Sequence, residues 1–340
     1  MTDTDSSDGG TSTLYKHNHP VPQPGCYVPA ITFFHPETDK LDLVSQKRYY
    51  SYLAATGLKG LVILGTNAET FLLSREERKT LLELARQAVP AKYPIIAGVG
   101  GHSTSQALEY ISDARDAGAD FALLLPSAYF GKQTTSSVVK RFYAQVAEQS
   151  PLPIILYNFP AVCNGLDLDS DIITDIVKQH ENVVGVKLTC GSTAKIVRLA
   201  AVFPPSRFAV FGGQADFLLA GLAVGSSGCI AAFANVFPRS VARVFELWRT
   251  GKNREALDLQ RVLSLAESPT KGGIASLKYA AAVMTAPRAG IPDAENLLWP
   301  RRPYEEVDDA VKARIVGTMN PLRNLEDENT NLQGVIRHKL

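Results

Sequence analysis

The chain has 340 residues, 35 basic side chains against 34 acidic ones, and 45% apolar residues, for a formal charge of +1 at neutral pH. That balance gives no electrostatic reason to expect nucleic acid or an anionic membrane as partner, and the apolar fraction excludes a disordered or collagen-like chain. No apolar run approaches the roughly 18–20 residues that cross a bilayer, so a soluble protein acting on a small molecule is expected.

Residues 1–22 are rich in Ser, Thr, Asp, Gly and Pro without an apolar period and read as a flexible arm. The opening MTDTDSSDGG is acidic where a transit peptide is Arg-rich, so a cytoplasmic location is expected. From Gly25 onward, apolar and β-branched runs recur: Tyr27 to Phe34, Gly60 to Leu64, Pro94 to Val99, Ala119 to Leu125 and Pro153 to Tyr157. Val183 to Leu188, Phe208 to Phe211 and Ser227 to Ala232 complete eight. They are almost continuously hydrophobic, as strands covered on both faces must be.

Segments of helical period lie between the runs. Ser74 with Glu77 and Ser103 with Gln106 have the spacing of capping boxes, and Gly118 and Gly225 stand where helix C-caps belong, just before the next strand. Eight strands alternating with helices predict a (β/α)8 TIM barrel over residues 23–238, with a doubly wound sheet as the alternative. No GxGxxG follows the first strand, which disfavours a dinucleotide fold. Beyond it, VARVFELWRT, REALDLQRVLSLA, GIASLKYAAAVM and EEVDDAVKARIVGTM predict a C-terminal helical extension over 239–320, followed by a polar tail, 321–340. The last residues, His338, Lys339 and Leu340, loosely resemble the SKL peroxisomal address. Cys26, Cys163, Cys190 and Cys229 are scattered without a CxxC pair, and the histidines form no HxH or HxxxH set. Neither a disulfide framework nor a metal site is indicated.

In such a barrel, reacting groups sit at the C-terminal strand ends, where loops converge on a rigid scaffold. Lys187, in VVGVKLT, places an amine in an otherwise apolar strand, where an unpaired charge costs several kcal/mol. Desolvation disfavours a charged amine, and the neutral amine is the form that attacks a ketone to make an imine. The alternative is a lysine snorkelling at a strand end or paired with a carboxylate elsewhere; pattern alone does not choose. Tyr157 lies on the neighbouring strand, where a phenol can pass protons across the mouth, or can be a core tyrosine with one hydrogen bond. The Gly65-Thr66-Asn67-Ala68-Glu69 turn leads into a helix and offers backbone N–H groups and small polar side chains to a carboxylate, or merely reverses the chain. Glu69 reads as a helix-start residue, or as one that supports the site from behind, rather than a catalyst.

Taken together, GTNAE, LLLPSAYFGK, YNFP, VVGVKLT and FGGQAD…GCIAAFANVFP resemble the dihydrodipicolinate synthase and N-acetylneuraminate lyase family of pyruvate-dependent class I aldolases, over Gly25 to Met319. The resemblance implies a barrel with a helical C-terminal region, a homotetramer, and a carbon–carbon lyase that needs no cofactor because Lys187 forms the imine with pyruvate. It makes Tyr157 the proton shuttle, Thr66 and Asn67 the carboxylate site, and Gly213 and Ile230 the lining of the pyruvate end. Tyr129 matches the tyrosine that enters a neighbouring subunit's site and completes the relay through Thr66. Four positions depart from the family pattern, the first being Asn67 in place of the usual second threonine of GTTGE, a variation like that of the 4-hydroxy-2-oxoglutarate aldolases. Val162 stands where synthases carry an arginine for a second carboxylate, which disfavours synthase-type condensation. Ala68 replaces a glycine, with strain expected if its φ is positive, and Ala128 replaces the first of two tyrosines. Cleavage of a 2-keto-3-deoxy sugar acid or of 4-hydroxy-2-oxoglutarate is therefore expected, with a slight preference for the former. The contrasting reading, a non-catalytic keto-acid-binding or scaffold relative, is opposed by the retained Lys187, Tyr157, Thr66 and Tyr129.

Overall fold

Eight short strands, buried along their whole length, alternate with helices in a computed structural model that describes residues 19–337, with side chains as far as Asp327. The strands are β1 (Gly25–Pro29), β2 (Gly60–Ile63), β3 (Ile95–Gly98), β4 (Phe121–Leu124), β5 (Ile154–Asn158), β6 (Val183–Leu188), β7 (Ala209–Gly212) and β8 (Gly228–Ile230). All pair in parallel with their sequence neighbours, and β8 closes on β1. The fold is a (β/α)8 barrel. The helices of the barrel are α1 (Leu43–Ala54), α2 (Arg75–Ala88), α3 (Thr104–Asp116), α4 (Ser136–Gln149), α5 (Ser170–Gln179), α6 (Thr193–Val202), α7 (Leu218–Ala223) and α8 (Pro238–Arg249).

Short polar side chains start most of these helices by accepting from first-turn N–H groups: Asp42 for α1, Ser103 for α3, Thr135 for α4, Asp169 for α5 and Ser192 for α6. The Ser74–Glu77 box before α2 is complete. At α3 only half of it forms, because Gln106 accepts from His102 N instead. Gly118 (φ +82) and Gly225 (φ +99) adopt the left-handed backbone expected of them.

Two apolar clusters follow from the alternation of side chains along each strand. One fills the barrel interior, with Tyr27, Val62, Ile96, Leu123, Ile155, Val184, Phe211 and Ile230. The other lies between strands and helices and includes Val28, Leu61, Ile63, Leu156, Val186 and Leu188.

The first apolar run forms less strand than its composition predicts. β1 stops at Pro29, and the buried backbone beyond it turns to side chains: Ile31 N donates to Asn235 and Phe33 N to Gln46, whose amide donates back to Ile31 O.

Past the barrel run α9 (Asn253–Glu267), α10 (Ile274–Met284), α11 (Ala294–Leu297) and α12 (Asp309–Arg337). The structure draws the boundaries differently from the sequence reading. α8 belongs to the barrel, since β1 needs a closing helix, and Cys26 on β1 donates to Val241 O on α8. The division at 320 falls inside α12, which carries buried Leu322 and Glu326 past it. Glu326 supplies the cap that α8 lacks locally, accepting from Arg239 N at 2.9 Å, Ser240 N at 2.7 Å and Ser240 Oγ at 2.6 Å. The arm up to residue 18 and the His338-Lys339-Leu340 tripeptide lie outside the described residues.

Candidate active site

β5 and β6 do not pair in simple succession. Ile154 lies opposite Val183, but Ile155 lies opposite Gly185, so β6 carries one extra residue, as in a β-bulge. In an unshifted ladder Tyr157 would face Val186, and Lys187 would point to the helix layer. The shift places Lys187 opposite Tyr157 and sends Val186 and Leu188 outward. Gly185 permits the close approach to β7, because a Cβ there would lie 2.8 Å from Ala209 O.

The amine and the phenol meet inside the mouth. Lys187 is 2% exposed and its Nζ donates to Tyr157 Oη at 3.1 Å, while lying 4.2 Å from the centre of the same ring. Tyr157 Oη in turn lies 3.4 Å from Thr66 Oγ1. Phe159 stacks on Tyr157 at 5.9 Å between centroids, and Tyr27 packs edge-on to Phe211 at 5.4 Å within the interior cluster. Asn158, fully buried beside the phenol, fixes the end of β5: its amide donates to Asp167 at 2.7 Å and its carbonyl accepts from Leu168 N at 2.9 Å. Lys195 on α6 pairs with the same Asp167.

The other expected residues distribute unevenly around this centre. Thr66 and Asn67 share a short 3-10 turn after β2 and are both partly exposed. Gly213 N donates to Leu188 O at 3.0 Å, and a Cβ on Gly213 would lie 2.5 Å from Thr189 Cα, so glycine is required where β7 ends. Ile230 is buried in the interior cluster with Tyr157. Tyr129 is not brought to Lys187 within one chain. It is 70% exposed on the loop after β4, against Phe130 and His102, and His102 stacks on the exposed Phe71. The strain expected at Ala68 falls instead on Glu69, whose φ is +57. Ala128 is buried, its carbonyl accepting from Asn164, and Val162 is 43% exposed.

Sequence reasoning missed what holds the Thr66–Asn67 turn. The Glu69 carboxylate is buried, accepting from Lys278 Nζ at 2.6 Å and from Arg301 N at 2.7 Å. Lys278, on α10, is 0% exposed. Burial pushes its amine below the ordinary lysine range, with the Glu69 charge pulling the other way. The signal was present in GIASLKYAAAVM, a lysine in an apolar helix, as it was in VVGVKLT. On the opposite side, buried Glu267 accepts from Ala215 N just beyond β7, and burial pushes its carboxyl up to about 7. Among the described residues, no group of three or more His, Cys, Asp or Glu side chains has the arrangement to hold a metal ion.

With this geometry in place, comparison with known proteins decides the family. The sequence profile of the Dihydrodipicolinate synthetase family matches residues 24–316. The chain belongs to that family. It is an aldolase, a carbon–carbon lyase, as its curated relatives in the family are named. One relative, from Coccidioides immitis (strain RS) and provisionally named 4-hydroxy-2-oxoglutarate aldolase, mitochondrial, is 59% identical over 306 residues, covering 90% of this chain and 98% of its own length. Another, the L-threo-3-deoxy-hexylosonate aldolase of Hypocrea jecorina, is 37% identical over 298 residues, covering 84% of this chain and 91% of its own. A crystal structure of a dihydrodipicolinate synthase family protein from Coccidioides immitis superimposes with a TM-score of 0.86 at 56% identity, over 90% of this chain and 98% of that one. The family's barrel is thus matched over the same span that holds Lys187, Tyr157 and Thr66.

Proposed function

We propose that this aldolase works through an imine on Lys187 and cleaves a 2-keto-3-deoxy sugar acid, or 4-hydroxy-2-oxoglutarate, into pyruvate and an aldehyde. The observation that carries the reading is the chain of contacts from the buried Lys187 Nζ to Tyr157 Oη and on to the partly exposed Thr66 Oγ1. The amine adds to the keto carbon, water leaves, and the iminium becomes an electron sink. Tyr157 accepts the proton of the C4 hydroxyl, the C3–C4 bond breaks with its electron pair delivered to the iminium, and the aldehyde departs. The resulting enamine takes a proton at C3, and hydrolysis of the imine releases pyruvate and restores the amine. No further cofactor enters this sequence of steps.

Thr66 and Asn67, at the turn after β2, hold the keto-acid carboxylate, and Gly213 and Ile230 bound the pyruvate end. The exposed aromatic group of Phe71, His102, Tyr129 and Phe130 suits a covered position in a homotetramer, in which Tyr129 enters a neighbour's site. Substrate choice turns on Val162, which offers no cation to a second carboxylate and supports the sugar-acid substrate. The hexylosonate aldolase name of the Hypocrea jecorina relative supports it too, and the name of the Coccidioides immitis relative supports the dicarboxylic one. That second name also specifies mitochondria, against the cytoplasmic expectation; no helix among the described residues is long and apolar enough to cross a membrane. Microscopy of the full chain fused at its C-terminus tests the compartment. For the substrate, initial rates of pyruvate release from both acids are the test. A higher kcat/KM for the 2-keto-3-deoxy acid is expected, and a clear preference for 4-hydroxy-2-oxoglutarate would reverse the choice.

A further inference from the structure

The Glu69–Lys278 pair takes no part in the steps above, yet it is among the most completely buried charge pairs of the described residues: Lys278 Nζ lies 2.6 Å from Glu69 Oε1, with side-chain exposures of 0% and 4%. A buried ion pair is a poor source of stability, because desolving two charges costs about what their attraction returns, and apolar replacements are often neutral or better. Its place in the chain suggests a different use. Glu69 is the joint between two successive 3-10 turns, Thr66–Ala68 and Thr70–Leu72, and it holds the left-handed backbone that non-glycine residues avoid. Its own N–H closes the first turn on Thr66 O at 3.0 Å, so wherever the Glu69 side chain is fixed, Thr66 and Asn67 are fixed with it.

Three groups fix this stretch, two of them on the Glu69 carboxylate and one on the Ala68 carbonyl, all from the far end of the sequence or from β1's loop. Lys278 reaches one carboxylate oxygen from α10 while lying 4.6 Å from the centre of the Phe34 ring. Arg301 N reaches the other, and the Arg301 guanidinium grips Glu77 at 2.6 and 2.8 Å and Leu72 O at 2.9 Å, just beyond the joint. Thr32 Oγ1 donates to Ala68 O at 2.8 Å. The C-terminal region thereby reaches the turn proposed above as the carboxylate site.

We infer that the Glu69–Lys278 pair sets the placement of the Thr66–Asn67 turn, which makes Lys278 a positioning residue for keto-acid binding. This rests on the reading of that turn as the carboxylate site. Lys278 touches neither the keto acid nor Lys187; it acts through Glu69. Losing it frees the turn, weakens capture of the carboxylate, and leaves the amine and the phenol in place.

The test is imine trapping by borohydride across a range of pyruvate concentrations, with the intact full-length protein. Lys278→Met is compared with the unaltered chain and with Glu326→Gln, which disturbs a buried carboxylate at α8. In Lys278→Met the half-saturating pyruvate concentration is expected to rise about tenfold or more, equivalent to about 1.4 kcal/mol of lost binding. The extent of trapping at saturation is expected to stay unchanged. Glu326→Gln is expected to lower the melting temperature without moving the half-saturation point. Should Lys278→Met fail to fold, the double variant Glu69→Gln/Lys278→Met, which leaves no charge unpaired, carries the same comparison. A folded variant with unaltered half-saturation, even at a lower melting temperature, overturns the inference while leaving the imine reading intact. Absence of an adduct in the unaltered protein overturns both.

Discussion

Removing the Lys187 amine deletes the only covalent handle of the proposed reaction, while its place in the barrel is held by packing on every side. Lys187→Ala is therefore expected to abolish aldol cleavage and leave the far-UV spectrum and melting cooperativity near those of the parent. Residual turnover above the uncatalysed rate would contradict this. Tyr157→Phe keeps the ring that stacks on Phe159 and loses only the hydroxyl between Lys187 and Thr66. A fall in kcat of about 10²- to 10⁴-fold is expected, the usual worth of a positioned proton carrier. The two residues differ in legibility. A lysine inside an apolar strand is visible in sequence because the cost of burying it demands a reason, whereas a tyrosine in a strand has an ordinary place in a core. Tyr157 takes its proposed role from the motif around it, and from the structure its distance to the amine. Lys278 broadcast the same anomaly as Lys187, but its reason, Glu69, lies 209 residues away, and nothing local hints at the pairing.

At the scale of elements, the strands were legible because parallel strands covered on both faces must be apolar throughout, and the helices because their caps are local. The bulge between β5 and β6 was not, since it depends on register between two strands and decides the face on which Lys187 emerges. Gly185→Val tests that point. With Ala209 O already 2.8 Å from a Cβ at this position, the larger side chain is expected to force β6 away from β7 and to reduce imine trapping and stability together. Trapping unchanged in a stably folded variant would remove the bulge from the explanation. Glu326 was equally hidden, having been assigned to a polar tail when it is the cap of α8. Glu326→Ala is expected to cost about 1–3 kcal/mol in denaturant unfolding, because it leaves first-turn N–H groups of α8 unpaired. Indistinguishable unfolding curves would count against that role.

For the whole molecule, the raised carboxyl of Glu267 is one route by which pH acts on stability. Its folded value of about 7 lies above the ordinary 4.5, so the native state binds this proton more tightly than the unfolded chain. The contribution is fully present below about pH 4.5 and is lost as pH rises through about 7. Glu267→Gln carries no titrating group, so its melting temperature relative to the parent is expected to climb between pH 5 and pH 8; parallel curves would show that the buried carboxyl does not govern this window. In the proposed homotetramer, assembly enters through Tyr129, whose expected target belongs to another copy and so lies outside a single chain. Tyr129→Ala is expected to lower turnover about a hundredfold or more with Lys187 still trappable, as for loss of one proton-relay member. Turnover equal to the parent's would remove the residue from the relay. The most direct measurement of the central proposal is peptide mapping after borohydride reduction with pyruvate. One reduced adduct, on Lys187 and on no other lysine, is the expected result; an unmodified Lys187 at saturating pyruvate would contradict it.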